Sequence, residues 1–117
     1  MDDIQRILAL VVGVTMAFFG IAGFVTDSNL FIIFGINLLH DAAHLITGLL
    51  GLFAGWYAQG NLARYYNKWM GIVYIALGIF GFFAVGIMKS LLNINFADNI
   101  LHLLLGGILL GISLELN

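Results

Sequence analysis

The chain contains no cysteine and no proline, and only 9% of its 117 residues are charged. Without cysteine there is no disulfide framework, no thiolate metal site and no thiol nucleophile. Without proline, any bend in a helix has to come from glycine or from an inserted side chain. The net charge is −2 and the four Lys and Arg residues are scattered, which argues against nucleic acid as a partner. What remains is apolar: 62% of the residues are hydrophobic and the mean hydropathy is +1.09. A water-soluble domain cannot solvate its surface with so few charges, so the expected solvent is lipid.

Four apolar segments stand out, Ile7–Val25, Leu38–Ala58, Trp69–Ile87 and Ala97–Leu114. Each is long enough to cross a hydrocarbon core of about 30 Å at about 1.5 Å per residue. Lipid offers no partner to an unpaired backbone group, and the runs lack the alternation of barrel strands, so they are predicted to be helices. Met1-Asp2-Asp3 is acidic where a cleavable signal would be basic, and a retained first span is expected. The apolar stretches Leu30–Ile36 and Ile87–Ile94 are expected to lie along the interface.

The polar letters recur at a fixed distance. INLLHDAAHLITG in the first half is answered by INFADNILHLLLG fifty-eight positions later, pairing Asn37 with Asn95, His44 with His102 and Gly48 with Gly106. The same offset pairs Arg6 with Arg64, Gly20 with Gly78 and Gly23 with Gly81. The predicted architecture is therefore an all-α four-helix membrane bundle in one domain, 1–117, made of two hairpin repeats, 1–58 and 59–116. A repeat with two spans starts and ends on one side, so its copies should be related by a pseudo-two-fold axis along the membrane normal. Arg6, Arg64 and Lys68 fall on one side of such a bundle and Lys89 on the other, which predicts cytoplasmic N- and C-termini.

Asn37 and Asn95 precede apolar helices and read as N-caps, with Asp98 completing a capping box. Asp41 and Asp98 lie in first helical turns, where the helix dipole favours negative charge. His40 and His44, and likewise Asp98 and His102, are spaced i,i+4 and share a helix face. His40, His44, Asp98 and His102 thus form a candidate ligand set for a divalent metal. Alternatively, His44 and His102 could be axial ligands of a haem held in the bundle. The competing reading is a non-catalytic accessory or assembly subunit, in which these polar groups only fix helix packing. Thr15 and Tyr74 are the only polar groups placed deep on spans 1 and 3, which disfavours a transporter. Thr47 and Ser113 lack a paired base, so nothing supports a hydrolase.

Glycine stripes at helical spacing, including Gly20, Gly23, Gly48, Gly51, Gly78, Gly81 and Gly106, are predicted packing seams, since small residues let membrane helices approach closely. Gly107 and Gly111 lie nearly opposite His102 and are a candidate contact with another subunit. Trp56, Tyr57, Tyr65, Tyr66 and Trp69 are expected to form an interfacial aromatic belt.

The segments HDAAHLITGLLGL and NFADNILHLLLG resemble a family of small bacterial four-span membrane proteins described as a domain of unknown function. The resemblance covers nearly the whole chain. It implies an integral protein of the bacterial inner membrane, supplies no activity, and marks Asn37, His44, Gly48, Asn95, Asp98, Asn99, His102 and Gly106 as the family-type positions.

Overall fold

The computed structural model describes residues 2–26 and 37–115. Its helices are α1 (Asp2–Phe24), α2 (Leu38–Trp56), α3 (Ala63–Phe83), α4 (Val85–Leu92) and α5 (Phe96–Glu115). The expected interfacial stretch Leu30–Ile36 lies outside the described residues.

The helices pack as two antiparallel pairs, α1 with α2 and α3 with α5. Glycine is what permits the approach. A Cβ on Gly13 would meet the backbone N of Leu52 at 2.6 Å, and one on Gly71 the backbone N of Leu110 at 2.6 Å. Gly20 lies against Leu45 and Asp41, and Gly78 against Leu103 and Asn99. Gly48 would drive a Cβ into the Ala17 backbone, and Gly106 into that of Ile75. In lipid no hydrophobic force pulls apolar helices together, so close van der Waals contact has to do so. The packing seams are where the glycine spacing places them. Gly107 and Gly111 instead face open space, with no neighbour within 4 Å of an added Cβ.

Polarity runs opposite to that of a water-soluble bundle. Val11, Phe18, Leu49, Leu104 and Ile108 are each more than half exposed on the outside, whereas Gln5, His40, Asn67, Asp98 and His102 are buried. The apolar core between the pairs holds Ala9, Val12, Met16, Tyr66, Tyr74 and Leu109. Three helical stretches are long and apolar enough to cross a membrane, Asp3–Phe24, Leu38–Gly60 and Phe96–Leu114, and α3 with α4 adds a fourth if the bent pair is one span. The chain is thus a multi-pass integral membrane protein, with three or four candidate spans among the described residues.

The third segment departs most from expectation. Instead of Trp69–Ile87, the helix begins at Ala63 and ends at Phe83. It starts early because its polar first turns find partners: Asn67 is fully buried against Gln5 and Arg64 donates to Ser113. It ends early because the chain turns by 118° into α4. The bend falls on Ala84 rather than on a glycine. Ala84 has φ −116° and ψ 51°, its N–H bonds Phe80, and its carbonyl accepts from Met88. Because φ is negative, no glycine is needed there.

At the opposite end, α2 and α3 are joined by a tight turn in which Ala58, Gln59 and Gly60 all have positive φ. Gly60 also lets the turn close on Arg6, whose Cγ would lie 2.9 Å from an added Cβ. Trp56, Tyr57, Tyr65 and Trp69 flank this turn with half or more of their surface outside, as a belt requires. Tyr66 does not belong to that belt. It is 9% exposed and its hydroxyl donates to the Thr47 carbonyl at 2.7 Å, so its polar tip is satisfied inside.

Candidate metal centre

The capping residues set the geometry at the end of the bundle where α2 and α5 begin. Asn37 has an extended backbone, and its Oδ1 accepts the His40 N–H at 2.7 Å. The Asn37 Nδ2 reaches across to the Leu91 carbonyl at 2.9 Å, fastening α4 to the start of α2. Asn95 and Asp98 form the reciprocal capping box: Asn95 Oδ1 accepts the Asp98 N–H, and Asp98 Oδ2 accepts the Asn95 N–H, each at 2.9 Å. These caps satisfy helix-terminal donors that lipid would leave bare. They also fix the starts of the two helices that carry the histidines.

His40, His44 and His102 converge in the interior, with 2%, 6% and 2% of their surfaces exposed. Each offers a ring nitrogen, and the three chosen atoms lie within 4.8 Å of one another. The His40 and His44 rings are 4.4 Å apart, as stacking one helical turn apart dictates, and His102 stands 6.2 and 6.4 Å from them across the bundle. Neither ring nitrogen of His44 has a hydrogen-bond partner, and neither does Nδ1 of His102. Buried polar atoms without partners cost roughly 1–3 kcal/mol each, so natural interiors seldom keep them without a ligand or water.

Asp98 does not belong to this convergence of nitrogens. It is buried on the same helix as His102, but its Oδ2 serves the capping box. Asp41 is buried beside the cluster in sequence, where it fills the space left by the missing side chain of Gly23, as Asn99 does at Gly81. One oxygen of Asp41 has no hydrogen-bond partner.

Tyr74 was not among the residues singled out as ligands, yet it belongs to the site. Its ring stacks on His102 at 5.5 Å and 27°, and its hydroxyl lies 3.0 Å from Thr47 Oγ1. The signal for it was in the glycine stripe: Gly71, Tyr74, Gly78 and Gly81 follow one another at spacings of three, four and three, and so share the inward face of α3. Thr15, the other deep polar residue, faces outward and bonds only its own helix at Val11. A cavity of about 110 Å³ adjoins the rings of His44 and His102. The Thr47 and Tyr74 pair borders it, and Ala43, Val73, Leu77, Leu92 and Ile94 close its apolar sides.

A second polar cluster, also unforeseen, sits at the far end. Asn67 Nδ2 donates to the Gln5 carbonyl and side-chain oxygen at 2.9 and 3.0 Å, and Gln5 Nε2 donates to the Ile112 carbonyl at 2.9 Å. Arg6 donates to the Gly55 carbonyl and Arg64 to that of Ser113, meeting the last turns of α2 and α5. Cations there complement the negative helix ends.

Residues 6–114 match the family described as Domain of unknown function (DUF4383). The chain belongs to that family. No curated protein and no solved structure matches it.

Proposed function

We propose that this DUF4383 protein binds a divalent transition metal through His40, His44 and His102 at one end of a four-span bundle. The observation that carries this reading is the convergence of three buried imidazoles whose ligand atoms lie within 4.8 Å. In a tetrahedral site with metal–nitrogen bonds of about 2.0–2.1 Å, ligand atoms are about 3.3 Å apart, so modest rotation of the rings closes the site. Imidazole suits zinc, copper, iron and nickel, and three protein ligands leave one position for another group. Charge supports the same reading. Three neutral imidazoles do not offset a divalent ion, and Asp41 and Asp98, buried at the same end, are the carboxyl groups available to do so.

Haem is the weaker choice of cofactor. The cavity of about 110 Å³ beside the rings falls well below the roughly 300–1,000 Å³ of ordinary cofactor pockets. The accessory-subunit reading leaves the unpartnered nitrogens of His44 without a purpose.

We further infer that the two halves are copies of one hairpin, 1–58 and 59–116, related by a two-fold axis along the membrane normal. Support comes from contacts that repeat at an offset of fifty-eight: Arg6 to Gly55 and Arg64 to Ser113, Gly13 on Leu52 and Gly71 on Leu110, Gly23 on Asp41 and Gly81 on Asn99. With Arg6, Arg64 and Lys68 at one end, the positive-inside rule makes that end cytoplasmic and puts the histidines at the outer face of an inner membrane.

Elemental analysis of protein purified in detergent and exposed to zinc, cobalt or ferrous iron tests the metal reading. One ion per chain, lost in His44→Leu and in His102→Leu while helicity is kept, is the expected result. Wild-type protein that retains no metal after desalting would leave packing as the role of the cluster.

A further inference from the structure

We infer that the metal keeps its remaining position open toward the chamber between α2 and α3, and that this position takes an uncharged diatomic gas of the dioxygen or nitric oxide class that arrives through the lipid. This rests on the metal reading above and adds the ligand to it. Size is the first argument. A chamber of about 110 Å³ holds three or four water-sized groups at about 30 Å³ each. A drug-sized organic ligand needs several times that space.

Polarity is the second argument. Away from the imidazoles and the Thr47–Tyr74 hydroxyl pair, the chamber is walled by aliphatic side chains. Those two hydroxyls already bond each other. An anion gives up its hydration there with no polar group besides the metal to replace it, which disfavours azide, phosphate and carboxylates. A small neutral molecule loses almost nothing, and apolar cavities of this kind take up xenon.

The route is the third. Ala43 and Val73 border the chamber and are exposed on the outside of the bundle, Val73 to 41%. That outside is hydrocarbon, in which diatomic gases dissolve better than in water. On the remaining side Leu92 and Ile94 cover the chamber, and α4 is tied down by the bond from Asn37 to Leu91. Binding is coordination alone: with ferrous iron, an Fe–N or Fe–O bond forms as a coordinated water leaves, and no electron has to be supplied.

The experiment uses the full chain in nanodiscs, loaded anaerobically with ferrous iron and exposed to nitric oxide, with iron content measured on the same samples. The expected result is the electron paramagnetic resonance signal of a non-haem ferrous nitrosyl, with no spectral change on adding azide. Val73→Phe and Ala43→Phe, which fill the chamber from the lipid side, should retain iron and weaken nitric oxide binding about tenfold or more. Metal-free wild type should bind xenon, seen as a shifted xenon resonance, and both variants should not. Iron-loaded protein that ignores nitric oxide, or that takes azide equally well, overturns the gas assignment and leaves the metal reading standing. Failure to hold iron, zinc or cobalt overturns the metal reading, and the gas assignment with it. Absence of xenon binding in metal-free wild type overturns the chamber by itself.

Discussion

The two ends of the bundle bury polar side chains in different ways. At the arginine end, Gln5, Asn67, Arg6 and Arg64 each donate to a named carbonyl, and the carbonyls they meet lie in neighbouring helices. That end is a set of polar clasps. At the histidine end the backbone caps are made, yet neither ring nitrogen of His44 makes a hydrogen bond. On the metal reading proposed above, the contrast separates polar groups that hold helices together from polar groups held ready for a ligand, though Asn67 Oδ1 at the arginine end also lacks a partner.

The sharpest way to break that comparison is to remove one member from each end. His102→Leu should lower metal affinity by two or more orders of magnitude, read by competition with a chelating dye. Its effect on the stability of metal-free protein should be near zero or favourable, because Leu takes away a buried nitrogen with no partner. Gly48→Ala should be the costliest packing change, about 1–3 kcal/mol, since the new methyl meets the Ala17 backbone rather than a movable side chain. Gly107→Ala is its control: nothing lies within 4 Å, and alanine should gain about 0.5–1 kcal/mol from helix propensity alone. Thermal unfolding in one detergent measures both. Equal losses in the two variants would deny that the seam is what glycine serves.

The architecture was legible because lipid leaves the chain few choices. Apolar runs of sufficient length must be helices, and the glycine spacing marked faces on which they could pack closely. The three histidines and both caps could be read for a related reason, since polar residues in such a chain are too costly to be incidental. Tyr74, Asn67 and Gln5 were not read as parts of clusters. Their partners come from helices distant in sequence, Thr47 for Tyr74 and a separation of 62 residues between Asn67 and Gln5, and no local period encodes those meetings. The break at Ala84 carries no breaker residue either, so composition could not place it. Asp98 was read in two roles, and its capping-box role is the one the hydrogen bonds carry: one of its oxygens accepts the Asn95 N–H.

At the arginine end, Asn67→Leu should cost about 1–3 kcal/mol, because Gln5 then loses its buried donor without gaining water. Metal content should be unchanged. A fall in metal content would mean that the two ends are not independent, which is the premise of the comparison.

The smallest loss is expected where both kinds of role meet in one residue. Asn37 caps α2 through Oδ1 and holds the end of α4 through Nδ2. Losing an asparagine cap costs about 0.5–2 kcal/mol, typically near 1. Asn37→Ala removes both bonds, whereas Asn37→Asp keeps the cap, and improves its charge against the helix dipole, but cannot donate to Leu91. Ala should therefore lower thermal stability, and Asp should restore it. If the bond to α4 matters only for covering the chamber, Asp should leave metal content intact while speeding the exchange of bound nitric oxide severalfold. Were Asp to behave like Ala in unfolding, the contribution of Asn37 would lie in fastening α4 rather than in starting α2. The histidine end would then owe its order to a cross-helix clasp, as the arginine end does.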